Sequence, residues 1–355
     1  MEQKLHNISA EAIELLKNLI AIPSVSREEK EAADFLERYI EERGYTVSRK
    51  GNNLWIIGPG FDTSHPTLLL NSHIDTIKPV SGWTYDPFKP TVENDKLFGL
   101  GSNDAGASLV SLLHTFFYLT QQPQSYNLIF AVSAEEEISG ENGMRTLVSE
   151  LPKIDFDVVG EPTGMNLAVA EKGLMVLDCI VHGKAGHAAR NEGENAIYKA
   201  IPDIEWFKNY EFPKKSDLLG AVKMSITLIN AGTQHNVVPD VCTFTVDIRS
   251  NELYTNDELQ REIETMTNCE IKARSTRLKS TQTPLNHPVV LRGKEMGLSL
   301  FGSPTLSDQS LMPFPSVKIG PGNSTRSHIA NEFIYMENIH DAIRIYIELL
   351  DGLKV

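Results

Sequence analysis

Cysteine is scarce. Only Cys179, Cys242 and Cys269 occur in 355 residues, an odd number without CxxC spacing, so neither a disulfide framework nor a thiolate metal site is expected. Dispersed thiols of this kind suit a reducing compartment, where cysteine behaves as a small buried apolar residue. Long hydrophobic runs are missing too. Nothing approaches the ~18 apolar residues of a membrane span, and Met-Glu-Gln-Lys-Leu-His-Asn at the start has no apolar core of a signal peptide. The expectation is a cytoplasmic protein without membrane association. Basic charge is in deficit, 33 Lys and Arg against 47 Asp and Glu, a formal −14, which argues against nucleic-acid phosphate as the main partner. Internal repeats and low-complexity tracts are also absent. What remains is an ordinary globular composition, 41% hydrophobic and 23% charged, on a chain long enough that two domains are expected.

The apolar pattern alternates between strands and helices. Residues 9–21 carry a helical pattern (Ile13, Leu16, Leu19, Ile20) stopped by Pro23, and Ser26-Arg27-Glu28-Glu29 has the form of a capping box opening a second helix. Residues 46–49 and 54–57 read as a hairpin around Gly51-Asn52-Asn53. Leu68-Leu69-Leu70 reads as a strand buried on both faces, ending in Asn71-Ser72-His73-Ile74-Asp75. Residues 81–96 read as a long irregular loop, 109–119 as an apolar helix, 127–133 and 156–159 as buried strands, and 144–151 as a short helix. This is an open α/β sheet, whose ligands bind beyond the carboxyl ends of the strands. From about 175 the order becomes β-α-β-β-α-β, a ferredoxin-like α+β domain inserted into the first. Residues 316–319 return to the main sheet and 336–353 close the chain as an amphipathic helix. The boundaries fall at 1–174, 175–284 and 285–355, with Lys172-Gly173 at the hinge.

Chemistry gathers at the strand ends. His73 closes the triple-leucine strand, and Asp75, two residues on, is placed to support its ring from behind. Asp104 sits in the small-residue turn Gly101-Ser102-Asn103-Asp104-Ala105-Gly106; Glu136 and Glu137 follow the 127–133 strand, Glu161 the 156–159 strand, and His328 lies after the inserted domain. Histidine and carboxylate are the donors of catalytic zinc, and two histidines with three carboxylates hold two ions if one carboxylate bridges.

These motifs also carry a resemblance. His73-Ile74-Asp75, Gly101 to Asp104, Glu136-Glu137, Gly160-Glu161-Pro162-Thr163, Gly183 to His187, Asn236-Val237-Val238-Pro239, Asp247-Ile248-Arg249, and His328 with Glu332 follow the order of the M20 family of zinc aminoacylases and exopeptidases. The likeness lies with its acetylornithine deacetylase and succinyl-diaminopimelate desuccinylase branch. The resemblance implies a zinc-peptidase-like catalytic domain, a mixed sheet flanked by helices, carrying an inserted lid and dimerisation domain. It implies His73 and Glu161 on one zinc, Glu137 and His328 on the other, and Asp104 bridging. Glu136 is then the general acid and base, Asp75 supports from behind, and His187 reaches the active site of a second subunit. Asn236 and Arg249 resemble contacts to a substrate carboxylate; the planar fork of arginine suits that role.

Two departures stand out: Asp104 is followed by Ala105-Gly106-Ala107 where the family commonly has a residue and then Lys-Gly, and the acid triplet is Glu-Glu-Glu where Asp-Glu-Glu is usual. The implied activity is amide hydrolysis of a small N-acyl amino acid by a cytoplasmic homodimer, with two Zn2+ per subunit replaceable by cobalt or manganese. The first expected substrate is N2-acetyl-L-ornithine, in arginine biosynthesis. Succinyl-diaminopimelate, succinylornithine and di- or tripeptides are the alternatives, and a metal-binding protein without turnover is the non-enzymatic one.

Overall fold

The computed structural model describes residues 2–190 and 192–354. The chain forms two compact units, one of Met1–Val169, Thr283–Phe301 and Ser307–Val355, the other of Ala170–Gln282 with Gly302–Leu306.

The first unit is built on a mixed sheet. From one edge its strands run Ser48–Lys50, Asn53–Ile57, Asn127–Ser133, Thr67–His73, Phe156–Val159, Ser316–Lys318 and then the strand beginning at Leu167. The first two form the expected hairpin and pair antiparallel to the rest. The next four are mutually parallel. Every residue of Thr67–His73, Asn127–Ser133 and Phe156–Val159 is buried, as near-continuous apolar runs in a doubly covered sheet must be. On one face Leu69, Ile129, Ala131 and Val159 pack with Met144 and Leu147 of the helix Met144–Glu150. The helix Ala107–Leu119, buried on nearly all sides, packs with Glu2–Ile20 and with the amphipathic Met336–Leu350.

Two expectations need correction. Ser26 to Glu29 does not form a capping box: the helix runs Lys30–Glu41, and no side chain caps it. Ser26 instead donates to Asp75 at 2.7 Å, and the Glu29 carboxylate accepts from Arg27 N and Asn52. Tertiary partners outcompeted the local motif. The 81–96 stretch is not wholly irregular either. Thr91–Glu93 pairs with Lys96–Phe98, which pairs in turn with Phe333–Tyr335. Strands of three residues carry too little alternation to be seen in sequence.

The second unit is a four-stranded antiparallel sheet. Its spatial order is Lys223–Ala231, Val241–Ser250, Gly173–His182, Glu270–Ala273, which is the order a ferredoxin-like βαββαβ chain produces. The helices Ala196–Asn209 and Asn256–Met266 complete it, the second through a capping box between Thr255 and Glu258. Met175, Leu177, Cys179, Val181, Phe244, Val246 and Ile248 alternate along the two central strands and form the core with Ala200, Phe207, Leu259 and Ile263. Among the described residues no helix is long and apolar enough to cross a membrane.

Candidate metal centre

The four parallel strands end on the same edge of the sheet, and each delivers part of one cluster. His73 is the last residue of its strand. Glu136 and Glu137 follow Ser133 through a tight bend with Glu135 at φ 54° and Ser139 at φ 47°, left-handed conformations that non-glycine residues hold only where their surroundings enforce them. Glu161 follows Val159. The loop after Lys318 brings His328, also left-handed at φ 62°. Asp104 arrives from the side, on the irregular turn Ser102–Gly106 that precedes the buried helix; its peptide bond to Ala105 is cis. Gly101 opens that turn at φ 74°, and a Cβ there would lie 2.6 Å from the Thr76 methyl, so only glycine fits.

Distances divide the cluster into two halves around Asp104. His73 Nε2 lies 3.4 Å from Asp104 Oδ1 and 3.8 Å from Glu161 Oε1. On the other side His328 Nε2 lies 2.9 Å from Glu137 Oε2 and 3.6 Å from Asp104 Oδ2. Asp104 therefore turns one oxygen to each imidazole. Donor atoms of His73, Asp104 and Glu137 fall within 4.8 Å of one another, as do those of His73, Glu136 and Glu161, so Glu136 stands beside the cluster with a carboxylate oxygen in reach.

Asp75 does more than its spacing implies. His73 Nδ1 donates to the Asp75 carbonyl oxygen at 2.9 Å, while the nearer carboxylate oxygen is 3.5 Å away. A carbonyl only accepts, so Nδ1 carries a proton, and Nε2 is the ring atom that faces the cluster. The Asp75 carboxylate accepts from Ser26 and from the backbone N–H groups of Glu136 and Glu137, at 3.0 and 3.2 Å. The strand ends at His73, so the same-side relation between i and i+2 lapses there, and the carboxylate anchors the neighbouring acid turn.

Electrostatically the cluster is an excess of buried acid. Burial, reinforced by Glu161, pushes Glu136 well above the ordinary carboxylate range despite His73. Burial and Asp104 push Glu161 up to about 8, and burial also raises Glu137. Burial disfavours charge on His73, but Asp104 and Asp75 outweigh it and raise the imidazole well above its usual value. The hydrogen bond that His328 donates to the Glu137 carboxylate lifts its own pKa to about 9. Four carboxyls crowded out of water repel one another unless positive charge lies between them. Imidazole nitrogens and carboxylate oxygens are donors of zinc and its neighbours. The donor set fits a pair of divalent ions.

The remaining expected residues belong to the second unit. His187 is exposed, in a two-residue pairing with Val237, and its Nδ1 accepts from Ala189 N. Asn236 accepts through its carbonyl from Ala188 N. Arg249 places Nε and Nη2 on the Asp247 carboxylate at 2.9 and 3.1 Å. Lys172 donates to the Ala221 carbonyl. Sequence reasoning read Ser26 only as a helix cap, and gave no role in the centre to Asn103 or to the Glu332 carboxylate, which accepts from three backbone amides of the Asp104 turn. For Glu332 the available signal was its place in one motif with His328.

The model of peptidase family M20/M25/M40 matches residues 69–352. The chain belongs to that family. Among its curated relatives, a succinyl-diaminopimelate desuccinylase of Wolbachia pipientis wMel is 25% identical over 369 residues, 96% of this chain and 92% of that protein. A LysW-lysine/LysW-ornithine hydrolase of Sulfurisphaera tokodaii is 27% identical over 351 residues, 96% of this chain and 95% of that protein. The fold is that of aminopeptidase PepT from Bacillus cereus, with a TM-score of 0.78 at 18% identity over 97% of this chain and 98% of that one. A dinuclear metal-binding M20 peptidase from Bacillus subtilis superposes with a TM-score of 0.75 at 18% identity, over 97% and 98%. This M20 chain is accordingly a hydrolase of the metallopeptidase and amidohydrolase type.

Proposed function

We propose that this chain is a two-metal amidohydrolase that removes the N-acyl group of an amino acid carrying a second amine, with N2-acetyl-L-ornithine as the first substrate. The observation that carries the reading is Asp104 standing between two His–carboxylate pairs with Glu136 beside them. His73 and Glu161 would hold one ion, Glu137 and His328 the other, and Asp104 both. When bound, a zinc pair supplies a Lewis acid for the amide carbonyl and a water whose pKa drops toward ~7.

The chain's own residues do the rest. His73 keeps its proton on Nδ1, so the ring neither turns nor changes tautomer. Asp75 fixes the turn that carries Glu136. Glu136 removes the proton from water as its oxygen attacks the acyl carbon, and returns that proton to the amide nitrogen as the C–N bond breaks. Its carboxylate stands beside the donor atoms of His73 and Glu161, within reach of both proton transfers. Asn236 and Arg249 are read as substrate-carboxylate contacts; Arg249 would exchange Asp247 for the substrate. His187 is read as a donor to the carbonyl oxygen in a neighbouring copy, and the segment 175–284 as the dimerisation domain. Three free cysteines support a reducing, cytoplasmic setting.

Desuccinylation is the second reading, favoured by the name of the Wolbachia relative, a succinyl-diaminopimelate desuccinylase. The test is hydrolysis by the zinc-loaded protein of N2-acetylornithine, N2-succinylornithine, succinyl-diaminopimelate and dipeptides, with Glu136→Gln alongside. Acetylornithine turnover that Glu136→Gln lowers at least ~10²-fold is the expected result. Preference for a succinylated substrate selects the second reading. Dipeptide turnover alone removes the deacylase.

A further inference from the structure

Glu332 is 2% exposed and lies between His328 and the strand Phe333–Tyr335. Its Oε1 accepts from the backbone N–H of Asn103 at 2.8 Å and of Asp104 at 2.9 Å, and its Oε2 from that of Gly101 at 3.1 Å. Its own carbonyl accepts from Gly99 N. A second set of bonds leaves the same turn. Asn103 donates through Nδ2 to the Asn323 carbonyl at 3.1 Å and to Ser327 Oγ at 3.3 Å, and accepts through Oδ1 from Asn323 N at 2.9 Å. The approach is close enough that a Cβ on Gly322 would lie 2.3 Å from Asn103 Oδ1.

The turn needs outside support. Asp104 is not helical, at φ −122° and ψ 98°, so regular hydrogen bonding does not fix its direction. His73 and Glu161 are placed by strands, whereas His328 is placed by a loop. We propose that Glu332 and Asn103 are positioning residues that clasp the Gly101–Asp104 turn to the Asn323–His328 loop, and so set the distance between the two metal positions. This rests on the two-metal reading. The consequence is unequal. Asp104 serves both positions, so loosening the clasp weakens both, but most the one that also needs His328 in fixed relation to Asp104.

The experiment is calorimetric titration of the metal-free chain with Zn2+, and with Co2+ followed by visible absorption, for wild type, Glu332→Gln and Asn103→Ala. The second variant keeps the Glu332 carboxylate and its three amide bonds, so it separates the clasp from the folding of the turn. The expected result is two ions in wild type. In the variants the ion at the Glu137–His328 position binds ~10–100-fold more weakly than in wild type and the other loses less, with an altered second-site Co2+ spectrum. Both variants binding two ions as tightly as wild type overturns the proposal alone. Loss of both ions together, or of the metal-free fold in both variants, assigns these residues a purely structural role and overturns it too. A wild type that binds no pair removes the metal reading and the proposal with it.

Discussion

At the scale of single residues, the centre depends on acceptors that serve several donors at once. Asp75 accepts from Ser26 and from two consecutive backbone amides of the acid turn, while its carbonyl fixes the His73 tautomer. Replacing Asp75 by Asn keeps size and the carbonyl but turns one acceptor oxygen into a donor facing an N–H. That misaligns Glu136 and Glu137 and leaves a buried donor without a partner. The expected outcome for Asp75→Asn is a ~10–100-fold loss of metal affinity or kcat with the fold retained, read by metal titration beside circular dichroism. Wild-type affinity and turnover in the variant would show that the carboxylate is dispensable. His73, Asp104, Glu136, Glu137, Glu161 and His328 could be picked out because each follows an apolar run or a small-residue turn. Glu332 and Asn103 could not be assigned roles, because what matters is the backbone they bind some 230 residues away.

At the scale of elements, the helix Ala107–Leu119 carries a titratable group in its buried face. His114 is 3% exposed. Its Nδ1 donates to the Val110 carbonyl at 2.8 Å, so the neutral ring accepts the Tyr39 hydroxyl at Nε2, 3.1 Å away. Burial, helped by the charge of Arg43, lowers its pKa to about 4. Above pH 6.5 the ring is neutral folded and unfolded and contributes no pH dependence. As pH falls from 6.5 to 4 the unfolded chain takes the proton and the folded chain does not. Stability therefore drops through that window, by about 3 kcal/mol for a shift of this size. In urea unfolding of the metal-free protein, His114→Asn, which keeps a donor for Val110, is expected to show a correspondingly shallower loss from pH 6.5 to 4; parallel curves would refute the assignment. The elements themselves were visible wherever they were long. The strands Thr67–His73 and Asn127–Ser133 announced themselves as apolar runs, and those of the second unit through their β-α-β-β-α-β order. Leu167–Glu171, Pro288–Glu295 and the three-residue strands Thr91–Glu93, Lys96–Phe98 and Phe333–Tyr335 were missed, because short segments are decided by neighbours remote in sequence. The supposed capping box failed for the same reason: Asp75 and Glu135, far along the chain, claimed its side chains.

At the scale of the whole molecule, the second unit leaves an apolar edge uncovered. Lys223–Ala231 is the edge of its sheet, exposed from Leu228 to Ala231, with Leu228 and Ile229 at 57% and 55% exposure. The adjoining helix Ala196–Asn209 exposes Ile197, Tyr198 and Ile201. A long apolar edge with unpaired backbone groups is a template for a second chain, and a second copy with two-fold symmetry pairs it with itself. Wild type is then expected to sediment at twice 39.5 kDa, and Ile229→Lys, a charge on the edge, to sediment as a monomer that still binds metal. If His187 of one copy serves the Glu136 site of the other, the two roles are separable by mixing. Glu136→Gln and His187→Ala are each nearly inactive alone. Dissociated and reassociated together in equal amounts, half of the dimers are mixed and each holds one complete site, so roughly a quarter of wild-type activity returns. No recovery on mixing, with exchange of subunits verified by a size tag, would place His187 in its own chain's site or outside catalysis altogether.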